Sequence, residues 1–357
     1  MDQWSALRCE ISAYFRERTD DHRFSGVIRI TRGTEELFAA AYGLASRNWS
    51  APVTLSTRFD TASLTKLFTA VSTLQLVDAG EFSMDTTVIP YLGLKHTAIS
   101  EAVTVFHLLT HSSGIGDDAE EENGEDYANL WQGKPNYSVT KTADFLPQFT
   151  HKPANFPPGE GCRYCNCGFI LLGLMIERAS NMTYRDYVRQ HVFVPAGMKD
   201  SGFFSMEDCT PNVAEGCDTI RDSDGQVIAW KKNIYSFPPI GSPDSGAQVT
   251  AADLDHFLRS VKDGLLLSPE RTQQFFSPQI HYRDRDGWEM QYGTGMWFYV
   301  EPSGHIVCCQ KEGYNAGVSA VMRYFFDQDV NLVILSNMAD GAWDPSWKMH
   351  ELIVNTS

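Results

Sequence analysis

The sequence predicts an α/β (α+β) fold: one antiparallel sheet built from the N- and C-terminal segments, flanked by helices and carrying a large, mostly helical insertion. Three observations point there. Strand-like runs crowd the two ends of the chain, helical periodicity dominates the middle, and 357 residues are many for one simple core. The expected division is a discontinuous sheet domain, residues 1–60 and 285–357, around a helical domain of 61–284, with the functional site in the cleft between them.

The elements follow in chain order. Trp4, Leu7, Ile11, Tyr14 and Phe15 recur at helical spacing, which predicts a helix over about residues 3–18. Ser25–Thr31 and Glu36–Tyr42, separated by Arg32-Gly33-Thr34-Glu35, read as a hairpin. Leu64, Leu67, Phe68, Val71 and Leu74 then mark a buried helix that Gly80 stops. Two further helices start at the capping residues Thr183 and Thr250; the second ends at Gly264. Met296–Val300, His305–Gln310, Val318–Phe325 and Asn331–Ser336 are strand-like, and a helix from about Trp347 to Val354 closes the chain. The acidic stretch Asp117–Asp126 reads as a solvated loop.

Composition narrows the function classes. Hydrophobic residues at 43% and charged residues at 21% are ordinary for a folded soluble protein. A formal net charge of −16 repels phosphate backbones and argues against a nucleic-acid partner. No apolar run approaches the ~20 residues that span a bilayer. The N-terminus shows no basic region followed by an apolar one. A cytoplasmic location is therefore expected if Met1 is the native start, and export if a leader has been removed. The eight cysteines are sparse for a disulfide scaffold. Cys162, Cys165 and Cys167 lack a second ligand pair at metal-binding spacing, so small buried thiols are expected and no metal or other cofactor.

The chemistry centres on Phe59-Asp-Thr-Ala-Ser63-Leu-Thr-Lys66. Ser63 falls in the first turn of the buried helix and Lys66 three residues on, on the same face. A helix N-terminus favours developing negative charge, and the lysine can help to activate the hydroxyl. A second Ser-x-x-Lys, Ser138 to Lys141, opens no comparable helix and reads as a polar helix start. Tyr164-Cys165-Asn166 follows a Pro/Gly turn and precedes the apolar run 168–176. A tyrosine beside a lysine is expected to lose its proton more readily, and Asn166 can hydrogen-bond a substrate amide. Tyr127-Ala-Asn129 repeats that spacing inside the acidic stretch. Lys311-Glu312-Gly313 ends the strand-like run His305–Gln310; the lysine can steer a carboxylate and the glycine permits close backbone approach. Lys262-Asp-Gly264 copies the pattern at a helix C-terminus. His107 and His111, in a helical Leu-Leu-Thr segment, are expected to hydrogen-bond internally. Of the tryptophans, Trp288, Trp297, Trp343 and Trp347 could line a cleft, with core packing the expectation for most.

The order Ser-x-x-Lys, Tyr-x-Asn, Lys-x-Gly resembles the class C β-lactamase and penicillin-binding-protein-like superfamily, which also contains esterases and D-amino-acid amidases. Val103–Gly114 is similar to that family's TVRHLLTHTSGL segment. Phe156-Pro-Pro-Gly159 through Gly197-Met198, and Gly246 with Thr250–Leu254, extend the resemblance over roughly residues 20–340. It implies a β-lactamase/transpeptidase-like fold and a covalent acyl-enzyme on Ser63. Lys66 and Tyr164 would share the base role, and Tyr164 would return the proton to the leaving group. Backbone N–H groups of Ser63 and Tyr314 would hold the oxyanion, and Asn166 the substrate's amide or ester side chain.

Two positions depart from the pattern. Cys165 stands where the family usually has Ser, as a small isostere. Glu312 replaces the Thr common in true β-lactamases and is expected to weaken the pull of Lys311 on a substrate carboxylate. The leading expectation is an esterase or amide hydrolase acting on small acyl substrates, with acyl transfer to an alcohol or amine open by the same intermediate. The alternatives are a β-lactamase or DD-peptidase, and an acyl-binding sensor that does not turn over. The oligomeric state stays open.

Overall fold

The computed structural model describes residues 3–285 and 287–356. Its centre is an eight-stranded antiparallel sheet. From one edge the order is Glu35–Tyr42, Gly26–Arg32, Val330–Ser336, Val318–Phe325, Ile306–Asn315, Trp297–Val300, Trp288–Tyr292 and Ile280–Arg285. The N-terminal hairpin is stitched to the C-terminal strands by the pairing of Gly26 with Ser336 through Arg32 with Val330. The two chain ends thus make one sheet, as the sequence implies.

Alternation along the strands sorts the two faces. Val333, Leu335, Ala320 and Met322 face the helical region, while Leu332, Ile334, Val321 and Phe325 face the terminal helices Gln3–Asp20 and Trp343–Val354. Phe15 and Met349 seal that second layer. Each fully buried Leu, Ile or Phe removes enough apolar surface from water to contribute roughly 1.5–3 kcal/mol.

The helical region packs around Lys66–Asp78 and Asn166–Ser180, which contact one another directly. Leu64, Leu67, Phe68, Val71 and Leu74 are all buried, and Gly80 ends the run at φ +77°. Thr183 and Thr250 cap their helices, accepting from Asp186 N and Asp253 N.

Three differences from the sequence reading stand out. The strand expected at His305–Gln310 runs on to Asn315, so Lys311, Glu312 and Gly313 lie inside it. Strands at Ile280–Arg285 and Trp288–Tyr292, which alternate weakly, extend the sheet edge, so the sheet takes up the chain again at Ile280. The acidic stretch is a solvated loop only in its later part, with Glu122, Asn123, Gly124, Glu125 and Asp126 exposed. Asp117, Asp118 and Ala119 are buried, and short 3-10 turns form at Glu121–Asn123 and Tyr127–Trp131. Partners distant in sequence, described next, pin its charges.

Candidate active site

Ser63 sits in a 3-10 turn, Ala62–Thr65, that runs directly into the Lys66–Asp78 helix. Ala62 holds a left-handed backbone at φ +44°, a conformation that disfavours a β-carbon. The turn is tied down on both sides: Asp60 Oδ1 accepts the Ala62 N–H at 2.7 Å, and Thr61 donates through N–H and hydroxyl to the Ala247 carbonyl at 3.0 and 2.8 Å.

Lys66 is completely buried, and its ammonium donates to Ser63 Oγ at 3.1 Å, Asn166 Oδ1 at 2.7 Å and the Asp244 carbonyl at 2.8 Å. Burial lowers its pKa from the usual 10.5, and the nearby carboxylates of Asp244, Glu121 and Asp117 offset part of that. Tyr164 lies across from it. The Tyr164 ring centroid is 5.0 Å from Lys66 Nζ and 4.8 Å from Lys311 Nζ, with the His111 ring tilted against it at 4.6 Å. The sequence led us to expect an acidified phenol here. Burial, with Tyr292 and Glu121 adding to it, pushes the Tyr164 pKa well above 10, although a hydrogen bond to Ser63 works the other way. Lys66 is thus the group displaced toward its neutral form, and Tyr164 keeps its proton.

Asn166 opens the Asn166–Ser180 helix, whose preceding residue Cys165 supplies no side-chain cap. Asp117 does that from a distance, accepting the N–H of Asn166 at 3.0 Å and of Cys167 at 2.9 Å. A carboxylate there satisfies orphan donors and complements the helix dipole. Glu121 takes the Asn166 side-chain amide at 2.8 Å, and Glu122 accepts from Tyr164 N at 3.0 Å and Tyr282 Oη at 2.7 Å. Glu120 pairs with Arg163 at 2.6 Å. The acidic stretch therefore braces the Tyr164–Asn166 segment, which local sequence could not reveal because every partner is about 40 residues or more away.

The Lys311 side chain is buried, donates to Tyr292 Oη at 3.0 Å and lies 5.2 Å from the Trp297 ring. Burial and the Lys66 charge hold its pKa well below 10.5. Glu312 points the opposite way, as adjacent strand residues must. Its carboxylate accepts from Gln310 Nε2 at 2.8 Å, and Gln310 in turn accepts from the buried Arg323 at 2.6 Å. Glu312 thus lies outside the cleft, although its charge still acts on Lys311 through space, as the sequence led us to expect. Glu312→Thr should accordingly change the ratio of nitrocefin to p-nitrophenyl butyrate turnover by no more than about threefold, measured by paired kinetics on both proteins.

Gly313 permits the tightest approach in the site. A β-carbon on it would lie 2.0 Å from the Thr61 carbonyl oxygen and 3.0 Å from Ser63 N. Gly313→Ala must push the strand away from the Ser63 turn, and turnover is expected to fall by about 10²-fold or more, since positioning errors near 1 Å carry such losses. Steady-state kinetics together with a melting curve tests this.

Ser63 faces a small hollow walled by Glu121, Tyr127, Asn166, Asp244, Ser245 and Tyr314. Tyr127, from the discounted Tyr-x-Asn copy, is thus a buried wall residue of the site. The Ser138–Lys141 copy is remote from it: Ser138 bonds the Pro135 carbonyl at 2.6 Å on the surface. Lys262 ends its helix, with Gly264 at φ +70°. His107 Nδ1 accepts Thr104 N at 3.2 Å, and His111 Nδ1 accepts Cys165 N at 3.0 Å. The cysteines are free thiols. Cys165 Sγ lies 3.5 Å from Asp117 Oδ1, and Cys167 groups with Asp117 and Asp118. Asp117 already serves the helix N-terminus.

The sequence matches the family described as Beta-lactamase over residues 11–348. A solved penicillin binding protein from Bacillus halodurans is 36% identical, with a TM-score of 0.87 covering 95% of this chain and 99% of that one. Penicillin-binding protein 4* of Bacillus subtilis (strain 168) is 25% identical over 339 residues, 92% of this chain and 72% of its own length. Esterase EstB of Burkholderia gladioli is 32% identical over 211 residues. That match takes in 57% of this chain and 53% of EstB, so it spans about half of that relative's length.

Proposed function

This chain belongs to the Beta-lactamase family, and on that premise we propose that it is a serine hydrolase working through an acyl-enzyme on Ser63, with small esters or amides as substrates. The observation that carries this reading is the contact of Lys66 Nζ with Ser63 Oγ at 3.1 Å, with Asn166 on the same amine. Lys66 in its neutral form takes the Ser63 proton as Oγ attacks the acyl carbon. The protonated Tyr164 then passes a proton to the leaving group, and the pair reverses these roles when water attacks the ester. Gly313 brings the strand of Tyr314 against Ser63 N, which supports backbone N–H groups of Ser63 and Tyr314 as the oxyanion donors. Lys311, walled by rings, holds Tyr164 in place.

Charge supports esters and amides over β-lactams. Glu121 and Asp244 flank the nucleophile, and Lys311 is buried, donates to Tyr292 Oη and does not line the hollow. Likeness to penicillin-binding proteins favours the second reading, a penicillin-acylated enzyme. Intact-mass spectrometry after mixing with p-nitrophenyl acetate, penicillin and a fluorophosphonate separates them. A transient acetyl adduct is expected, with a slower or absent penicillin adduct. A stable penicillin adduct together with no acetyl turnover would reverse the order, and no adduct with any probe would sink the mechanism.

A pH profile adds an independent check. Burial depresses the Lys66 pKa, so the reactive neutral amine grows as pH rises through that depressed value and is lost on acidification. kcat/KM should therefore rise with pH along a limb that disappears in Lys66→Ala, read from the residual rate of the variant.

A further inference from the structure

A cavity of about 350 Å³ lies beside the nucleophile segment, and neither Ser63, Lys66 nor Tyr164 lines it. Phe59, Phe237 and Val318 give its wall an apolar part, and polar side chains make up the rest. Most polar groups on that wall are matched. Lys232 Nζ meets Glu215 Oε1 at 2.7 Å, and the Gln248 side chain bonds the Phe204 backbone at both ends, at 2.8 and 3.3 Å.

Two groups stand out: Asn337 Oδ1 lacks a hydrogen-bond partner among the described residues, and Asp60 carries a charge that no cation offsets. Asp60 Oδ1 accepts the Ala62 N–H, and among the described residues no cation pairs with the carboxylate. The residue is half-buried, and it lies on the cavity wall. A carboxylate enclosed without a counter-charge is costly. Burial accordingly pushes its pKa up to about 6.

We propose that this cavity binds a small primary amine with an apolar body, its ammonium group resting on the Asp60 carboxylate. The ammonium supplies the missing positive charge and N–H donors, and the rings of Phe59 and Phe237 cover the body and favour a cation near their faces. The volume suits a ligand of benzylamine size, at the lower end of small-molecule pockets. The site lies one hydrogen bond from the Ala62 turn, so its occupant sits next to the backbone that aims Ser63.

The test is calorimetry with benzylamine and benzyl alcohol on the Ser63→Ala protein, which removes any acyl chemistry from the measurement. Benzylamine should bind at least about tenfold more tightly than the alcohol. In an Asp60→Asn background, whose amide oxygen can still accept the Ala62 N–H, that preference should fall to about twofold or less. Val213→Phe, which fills the cavity and leaves Asp60 intact, should lose binding of both probes. Equal affinities for amine and alcohol, no amine binding at millimolar concentration, or a preference that survives Asp60→Asn would each overturn the proposal. Because the protein measured lacks the nucleophile, these outcomes stand whether or not the hydrolase reading holds.

Discussion

Replacing Ser63 with alanine is expected to abolish ester turnover and fluorophosphonate labelling, a loss of about 10⁴-fold or more, because it removes the hydroxyl proposed to form the acyl bond. The alternative Ser-x-x-Lys serine provides the control. Ser138 spends its hydroxyl on the Pro135 carbonyl at the surface and has no buried lysine beside it. Ser138→Ala should therefore keep activity near wild type. Kinetics with p-nitrophenyl butyrate and gel-based labelling of both variants decide the matter, and a loss confined to the Ser138 variant would move the site.

Lys66→Ala and Tyr164→Phe should each lower turnover by about 10²-fold or more, the usual weight of general acid–base catalysis. The two differ in what else they disturb. Lys66→Ala strips donors from Asn166 Oδ1 and the Asp244 carbonyl, both of which it satisfies in the folded protein, so some loss of melting temperature should accompany the loss of rate. Tyr164→Phe keeps the ring that packs against His111 and lies beside both lysines, and its stability should stay close to wild type. Full turnover by Tyr164→Phe would leave proton return to Lys66 or water, and full turnover by Lys66→Ala would remove the base assigned here.

Much of this protein is legible in its sequence because the determining interactions are local. Helical periodicity from Leu64 to Leu74 ending at Gly80, the caps at Thr183 and Thr250, and the β-rich C-terminal runs each depend on neighbours a few residues away. The order of the motifs around Ser63, Tyr164 and Gly313 points to the family for the same reason. Tertiary structure alone decided the electrostatics. That Asp117 caps the Asn166–Ser180 helix, that Glu121 and Glu122 hold Asn166 and Tyr164, and that Glu312 leaves the cleft for Gln310 all follow from contacts between distant segments and from strand alternation. Sequence shows a lysine next to a tyrosine and predicts a more acidic phenol. Burial, which depends on the whole fold, reverses that direction, because taking the phenolate's charge out of water is costly.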